Sequence, residues 1–88
     1  MVTVKVLYFA SIREAVGKRE ETLVLVQSGG GDTAFTLADV RRRLGELYPD
    51  ARDAIEHITL ARNLEYSPDD TRVADGDEVA LIPPISGG

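Results

Sequence analysis

Glu78-Val79-Ala80-Leu81-Ile82 is a strand with scarcely a polar side chain, and Pro83-Pro84 follows it at once. A strand apolar almost throughout has to be covered on both faces or lie in the middle of a sheet. Proline has no N–H to give to a ladder and is tolerated only where the strand ends, as Pro83 is. The body is therefore expected to close around this segment and to leave Ile85-Ser86-Gly87-Gly88 outside. Two prolines with φ fixed near −65° launch that tail in an extended, semi-rigid direction. Two glycines without Cβ can thread a channel too narrow for any other residue. The residues beyond Pro83 reach at most about 17 Å, enough to enter a neighbouring protein's site. The expected organisation is one domain, 1–83, and an extended tail, 84–88, whose reactive atom would be the α-carboxylate of Gly88. Frayed, glycine-rich termini are common, but an idle tail has no use for two prolines and an apolar strand to aim it.

The sequence has 88 residues, 43% of them hydrophobic and 28% charged. That composition fits one soluble globule near the size at which a single core gives only a few kcal/mol of net stability. With no cysteine and one histidine, His57, a disulfide, a thiol nucleophile, an iron–sulfur cluster and a His-rich metal site are all ruled out as expectations. No apolar run approaches the roughly 18 residues of a membrane span. Val2 to Ala10 is interrupted by Lys5 and lacks a signal peptide's arrangement, so a cytoplasmic location is expected. Fifteen acidic against ten basic residues give a net charge of −5, which repels a phosphate backbone and suits partners with basic surfaces. Neither nucleic acid nor membrane is an expected partner. Arg41, Arg42 and Arg43 fan out by about 100° each on a helix and read as a solvated face.

Along the chain, Val2 to Phe9 alternates with β-branched and aromatic residues and predicts a strand with one buried face. Ser11 to Val16 reads as a short helical turn, with Ser11 as N-cap, Glu14 three positions on and Gly17 as the stop. Thr22 to Val26 predicts a second strand. Gly29-Gly30-Gly31 follows without the lysine of a phosphate loop and reads as a connection. Thr36 and Asp39 match a capping box for a helix reaching about Tyr48, with Leu37, Val40, Leu44, Leu47 and Tyr48 on one stripe and Pro49 ending it. Ala51 to Glu56 suggests a further turn. Ile58 to Arg62 predicts a third strand, Asn63-Leu64 a turn, and Glu65-Tyr66 a brief strand. Asp69-Asp70 and Asp75-Gly76-Asp77 read as solvated turns, because their carboxylates are out of register for a calcium loop. The order predicts an α+β mixed sheet with one main helix across a face.

That order and the ending resemble the ubiquitin-like β-grasp family, and within it the sulfur-carrier small subunits of molybdopterin synthase. The resemblance rests on Val4 to Glu14, on Ala61-Arg62-Asn63-Leu64-Glu65-Tyr66, and above all on the fourteen residues from Asp75 through Pro83-Pro84-Ile85-Ser86-Gly87-Gly88. It covers essentially the whole chain. Ser28 to Thr33 departs from it in being longer and richer in glycine.

The resemblance implies a mixed sheet of about five strands and a non-catalytic, sulfur-donating role. A terminal carboxylate with a pKa of about 3.5 is an anion at neutral pH and a poor electrophile, so it must be activated. An ATP-dependent, ubiquitin-activating-like adenylyltransferase would place AMP on Gly88. A sulfur-donating enzyme would then replace AMP with sulfur, leaving a thiocarboxylate. No cofactor is bound; Gly88 carries AMP and then sulfur in passing. The tail would enter the large subunit and give its sulfur to cyclic pyranopterin monophosphate, in a heterotetramer. Phe9, Tyr66 and Ile82 are the candidates for the apolar docking surface, with core burial as the alternative, and Arg13 is a candidate for an ion pair across it. The same body and diglycine end also fit a carrier for thiamin thiazole or tRNA thiolation, a protein modifier joined through Gly88 to a lysine, or an interaction module with an inert tail. The Ile-Pro-Pro-Ile-Ser run favours molybdopterin.

Overall fold

A computed structural model describes residues 1–26 and 35–82. Five strands form one sheet in the order β2-β1-β5-β3-β4. They are β1 (Val2–Tyr8), β2 (Glu20–Leu25), β3 (Thr59–Arg62), β4 (Glu65–Tyr66) and β5 (Glu78–Ile82), with helices α1 (Ala10–Val16), α2 (Leu37–Leu47) and α3 (Arg52–His57). β5 runs parallel to β1 and antiparallel to β3, so the apolar last strand occupies mid-sheet, as its composition demands. This is the α+β, ubiquitin-like β-grasp arrangement expected, a five-stranded mixed sheet with α2 laid across one face.

One parity of each strand builds the core. Val4, Val6 and Tyr8 of β1, Leu23 and Leu25 of β2, Leu60 of β3, and Val79 and Leu81 of β5 are buried against Leu37, Val40 and Leu44 of α2. Each such large side chain contributes about 1.5–3 kcal/mol of burial. Leu47, expected on the same stripe, is exposed. The helix ends there, and Tyr48 alone turns back to the cluster. The Thr36–Asp39 capping box forms, with the Thr36 N–H donating to Asp39 Oδ2 at 2.9 Å. Further free N–H groups of this helix start are met by residues 69–73: Leu37 donates to Thr71 O at 3.0 Å and Ala38 to Asp69 O at 2.9 Å.

Several local expectations shift. β1 stops at Tyr8 rather than Phe9, and β2 starts at Glu20, two residues early, because Glu20 and Glu21 continue the ladder opposite Leu7 and Val6. The first helix begins at Ala10 with Phe9 as its cap, so Ser11 lies inside it. Gly17 closes it as expected, at φ 84° with its N–H on Arg13 O. The turn expected at Ala51–Glu56 is a 3₁₀ turn, Pro49–Ala51, running into α3.

Arg41 is not solvated. Its guanidinium forks onto both carboxylate oxygens of Asp69 (2.8 and 3.1 Å) and donates to the carbonyls of Ile55 and Ile58 (2.6 and 2.8 Å). It thereby satisfies carbonyls at the end of α3 that the helix leaves open. Asp69, though it holds Arg41, stays exposed as a solvated turn residue, whereas Asp77 is buried rather than solvated.

Candidate functional site

The sheet has a second face, opposite α2, and the register assembles it. Leu7 pairs with Ala80, Ala80 with Ala61, and Ala61 with Tyr66. Alternation puts these four on the face away from the core. Ala61 and Ala80 are 3% and 5% exposed yet lie outside the core cluster. Two small side chains therefore lie between Leu7 and Tyr66 in this cross-strand row. Tyr66 itself is 67% exposed.

A second row lies beside the first. Tyr8 pairs with Leu81, so the next residues, Phe9 and Ile82, leave that register side by side. Phe9 is in extended backbone (φ −123°, ψ 152°) and keeps the outward parity of Leu7. It is 42% exposed, and Ile82, paired with Thr59, is half-buried and outside the core cluster. The three apolar residues picked from the sequence thus share one face, and none of them belongs to the core. Ala61, Ala80 and Leu7 were missed. Their only signal is parity relative to strands whose pairing the sequence does not print.

Arg13 stands apart, exposed on α1 and outside this register. It forms no ion pair with another described residue. The face is edged by charge: Lys5 holds Glu20 at 2.9 Å, and that hydrogen bond and charge, with Glu78 adding to them, raise the lysine pKa.

The point at which β5 starts is fixed by a buried carboxylate. Asp77 Oδ2 accepts from Arg62 Nε and from the Ala74 N–H, both at 2.7 Å, and Oδ1 from Asn63 Nδ2 at 3.2 Å. Burial acts to raise its pKa. The Ala74 N–H, Arg62 and Asn63 outweigh that and hold the carboxyl below its ordinary range. The network ties the β3–β4 hairpin to β5, so the strand that leads to the tail is anchored at its start by side chains and along its length on both sides by ladders. A second such group, Glu21, accepts from the hydroxyls of Tyr8 and Tyr48. Among the described residues no cluster of three or more His, Asp or Glu side chains forms a metal site, and no helix is long and apolar enough to cross a membrane.

The tail candidates Pro83, Pro84, Ile85, Ser86, Gly87 and Gly88, and the boundary between residues 83 and 84, lie outside the described residues, as does the Gly29-Gly30-Gly31 connection. What the structure describes is their base, Ile82, at the end of a central strand beside Phe9.

Comparison with known proteins extends the likeness over the whole chain. The molybdopterin synthase sulfur carrier subunit of Mycobacterium tuberculosis is 36% identical over 88 residues, covering all of both chains. The solution structure of the small archaeal modifier protein 1 from Methanosarcina acetivorans superposes with a TM-score of 0.78 at 30% identity, over 100% of this chain and 98% of that one. At lower identity, the fold is shared with subunit 1 or 2 in a complex of the Helicobacter pylori molybdopterin-converting factor (TM-score 0.66, 20% identical, 99% and 100% covered). It is also shared with the ubiquitin of Caldiarchaeum subterraneum, with a TM-score of 0.59. The ThiS family model matches residues 6–88, from the first strand through the diglycine, and the chain belongs to the ThiS family.

Proposed function

We infer that this chain is a sulfur carrier subunit of a molybdopterin synthase and that Gly88 carries the sulfur. The observation that carries this reading is the full-length match at 36% identity to a protein of that name, in a family whose model runs through Gly87-Gly88. A body with a mid-sheet strand pointing to its last residues, an apolar outer face and no metal cluster among its described residues suits a protein that delivers a group rather than transforms one.

The chemistry follows from the carboxylate. One Gly88 oxygen attacks the α-phosphorus of ATP and pyrophosphate leaves, giving an acyl-adenylate on an adenylyltransferase. A sulfur-donating enzyme then supplies sulfur at the sulfide level. The new C–S bond forms as AMP departs, leaving a thiocarboxylate. Its sulfur is the nucleophile toward cyclic pyranopterin monophosphate in the large subunit, whose residues supply the acid and base. The docking face of Leu7, Phe9, Tyr66 and Ile82 brings the tail to that partner. A complex of subunits 1 and 2 of the Helicobacter pylori converting factor supports such a pairing.

The likeness to a small archaeal modifier protein over the whole chain favours a second reading, in which activated Gly88 is transferred to a lysine of another protein. Both begin with adenylation. Mass spectrometry of the protein from its own cells separates them. A gain of about 16 Da, sulfur for oxygen, marks the carrier, and a branched glycine remnant on other proteins marks the modifier. An unmodified terminus together with no glycine remnant on other proteins, under every growth condition, would overturn both.

A further inference from the structure

The hairpin closing the β4 edge carries an apolar side chain where the backbone is least suited to one. β3 and β4 are joined by Asn63 and Leu64 alone, between the paired residues Arg62 and Glu65, with φ of 50° and 71°. Two-residue hairpin turns with positive φ at both positions favour glycine and asparagine, and a side chain branched beyond Cβ adopts that region only at a cost. Asn63 fits the demand and is used twice over. Its Nδ2 donates to Asp77 Oδ1 at 3.2 Å, and its Oδ1 accepts the Glu78 N–H at 2.9 Å. Leu64 is the exception. It is 88% exposed, so no burial within this chain offsets the strain. A strained backbone position that carries an unburied apolar side chain is the kind of outlier from which a use outside the fold is inferred.

Its position is informative. Arg62, just before the turn, pairs with Val79 near the start of β5, whereas Ile82 at the other end pairs with Thr59. At about 3.3 Å per residue Arg62, at the foot of the turn, stands roughly 10 Å along the sheet from Ile82, and the turn lies beyond it. Tyr66, opposite Ala61, lies between the two. Glu78, on the outer parity of β5, is acidic, Glu65 beside the turn is acidic on the other parity and pairs with Arg62, and the one lysine on the face, Lys5, is held by Glu20.

The geometry points to Leu64 as a second apolar anchor of the docking face. It enters an apolar pocket with a basic rim on the protein that receives the tail, which on the reading above is the synthase large subunit. Contact at Phe9, Ile82 and Tyr66 holds the carrier near the tail exit and at mid-face but leaves the turn end free to pivot. A second contact at the far end fixes its angle and so the direction in which the tail is presented. The acidic flank selects a basic protein rim and repels an anionic lipid surface.

Calorimetric titration of the purified large subunit from the same organism with wild type, Leu64→Asn and Leu64→Met, alongside thermal melts of each free carrier, tests this. Asparagine relieves the positive φ and removes the apolar reach, and methionine keeps the reach. The expected result is that Leu64→Asn melts at or above the wild-type temperature while binding at least ten-fold more weakly, and that Leu64→Met binds within about three-fold of wild type. Unchanged affinity in Leu64→Asn overturns the anchor, and a clear drop in its melting temperature overturns it as well by making the residue structural. Sedimentation of the wild type alone adds a third outcome. Self-association lost in Leu64→Asn, with large-subunit affinity unaltered, assigns the side chain to a contact between copies instead. Failure of the wild type to bind the large subunit strikes the sulfur-carrier reading itself.

Discussion

The Tyr8 hydroxyl donates to Glu21 Oε2 at 2.5 Å, joining the end of β1 to the start of β2. Tyr48, just past the end of α2, donates to the same oxygen, and its ring meets that of Tyr8 edge-on at 6.4 Å. Lys18 lies 3.5 Å from the other carboxylate oxygen and 5.7 Å over the Tyr48 ring. One carboxylate therefore holds the sheet and the end of the main helix together.

This cluster gives the fold a pH dependence at each extreme. Burial acts to raise the Glu21 pKa, but the Tyr48 and Tyr8 hydroxyls and Lys18 outweigh it, and the net shift is downward. A depressed folded-state pKa contributes stability that is present above the unfolded value, about 4.3, and lost as pH falls below it. Tyr8 is shifted upward, by burial first and by Glu21 second. Its contribution is complete below the unfolded value of about 10 and lost as pH rises past it. Urea unfolding of Glu21→Gln is expected to show a loss of about 1–2 kcal/mol at pH 7 and a flatter acid limb. Tyr8→Phe is expected to flatten the alkaline limb. Identical pH profiles in variant and wild type would show that the cluster does not couple to folding.

Asp77 offers a separate test. Asp77→Ala leaves the Ala74 N–H, Arg62 and Asn63 without their acceptor. The expected cost is about 2–3 kcal/mol, the range for a buried charged acceptor. In a domain of this size each kcal/mol lowers the melting temperature by about 4–8 °C. Gly76→Ala probes the same turn differently. At φ 89° with open space around its Cα, it is expected to lose about 1 kcal/mol from backbone strain alone. Thermal melts that rank the two variants in the reverse order would contradict this account of the turn.

Much of this architecture is legible in the amino-acid order because the signals are local. The Thr36–Asp39 box, the Gly17 stop and the unbroken apolar run of β5 each follow from residues within four positions of one another. What resisted reading depends on partners distant in sequence. Arg41 looks like any surface arginine until Asp69 and the end of α3 are brought to it. Glu20 and Glu21 look unlike strand until β1 pairs with them. Asp77 sits in a turn-rich acidic stretch, and nothing nearby in sequence marks it as buried. The outer sheet face is intermediate. Phe9, Tyr66 and Ile82 are legible as large apolar residues near strand ends, but the small residues beside them, Ala61 and Ala80, emerge only from the register.

That face predicts a separation of binding from folding. Tyr66 is outside the core cluster and mostly exposed, so Tyr66→Asp is expected to melt within a few degrees of wild type. Placed in the middle of an apolar interface, the same carboxylate is expected to weaken large-subunit binding by about 30-fold or more, the effect of losing a central aromatic anchor. Phe9→Glu is expected to behave alike. Equal loss of binding and of melting temperature would instead make these residues part of the fold.

The tail predicts the opposite extreme, complete loss of function with no loss of stability. The core cluster of the described residues draws on side chains from Val4 to Leu81, and the group proposed to react is the last carbon of the sequence, seven residues further on. Deleting Gly88, or adding one alanine after it, is expected to leave the melting temperature unchanged. Either change moves the carboxylate by about 3.5 Å, the length of one extended residue, and a displacement of even 1 Å from a reacting geometry costs about 100-fold in rate. Reconstitution with ATP, the adenylyltransferase, a sulfur donor and the large subunit is therefore expected to give molybdopterin with the native chain and none with either variant. Extended protein that stays intact by mass spectrometry and still delivers sulfur would rule out Gly88 as the carrier.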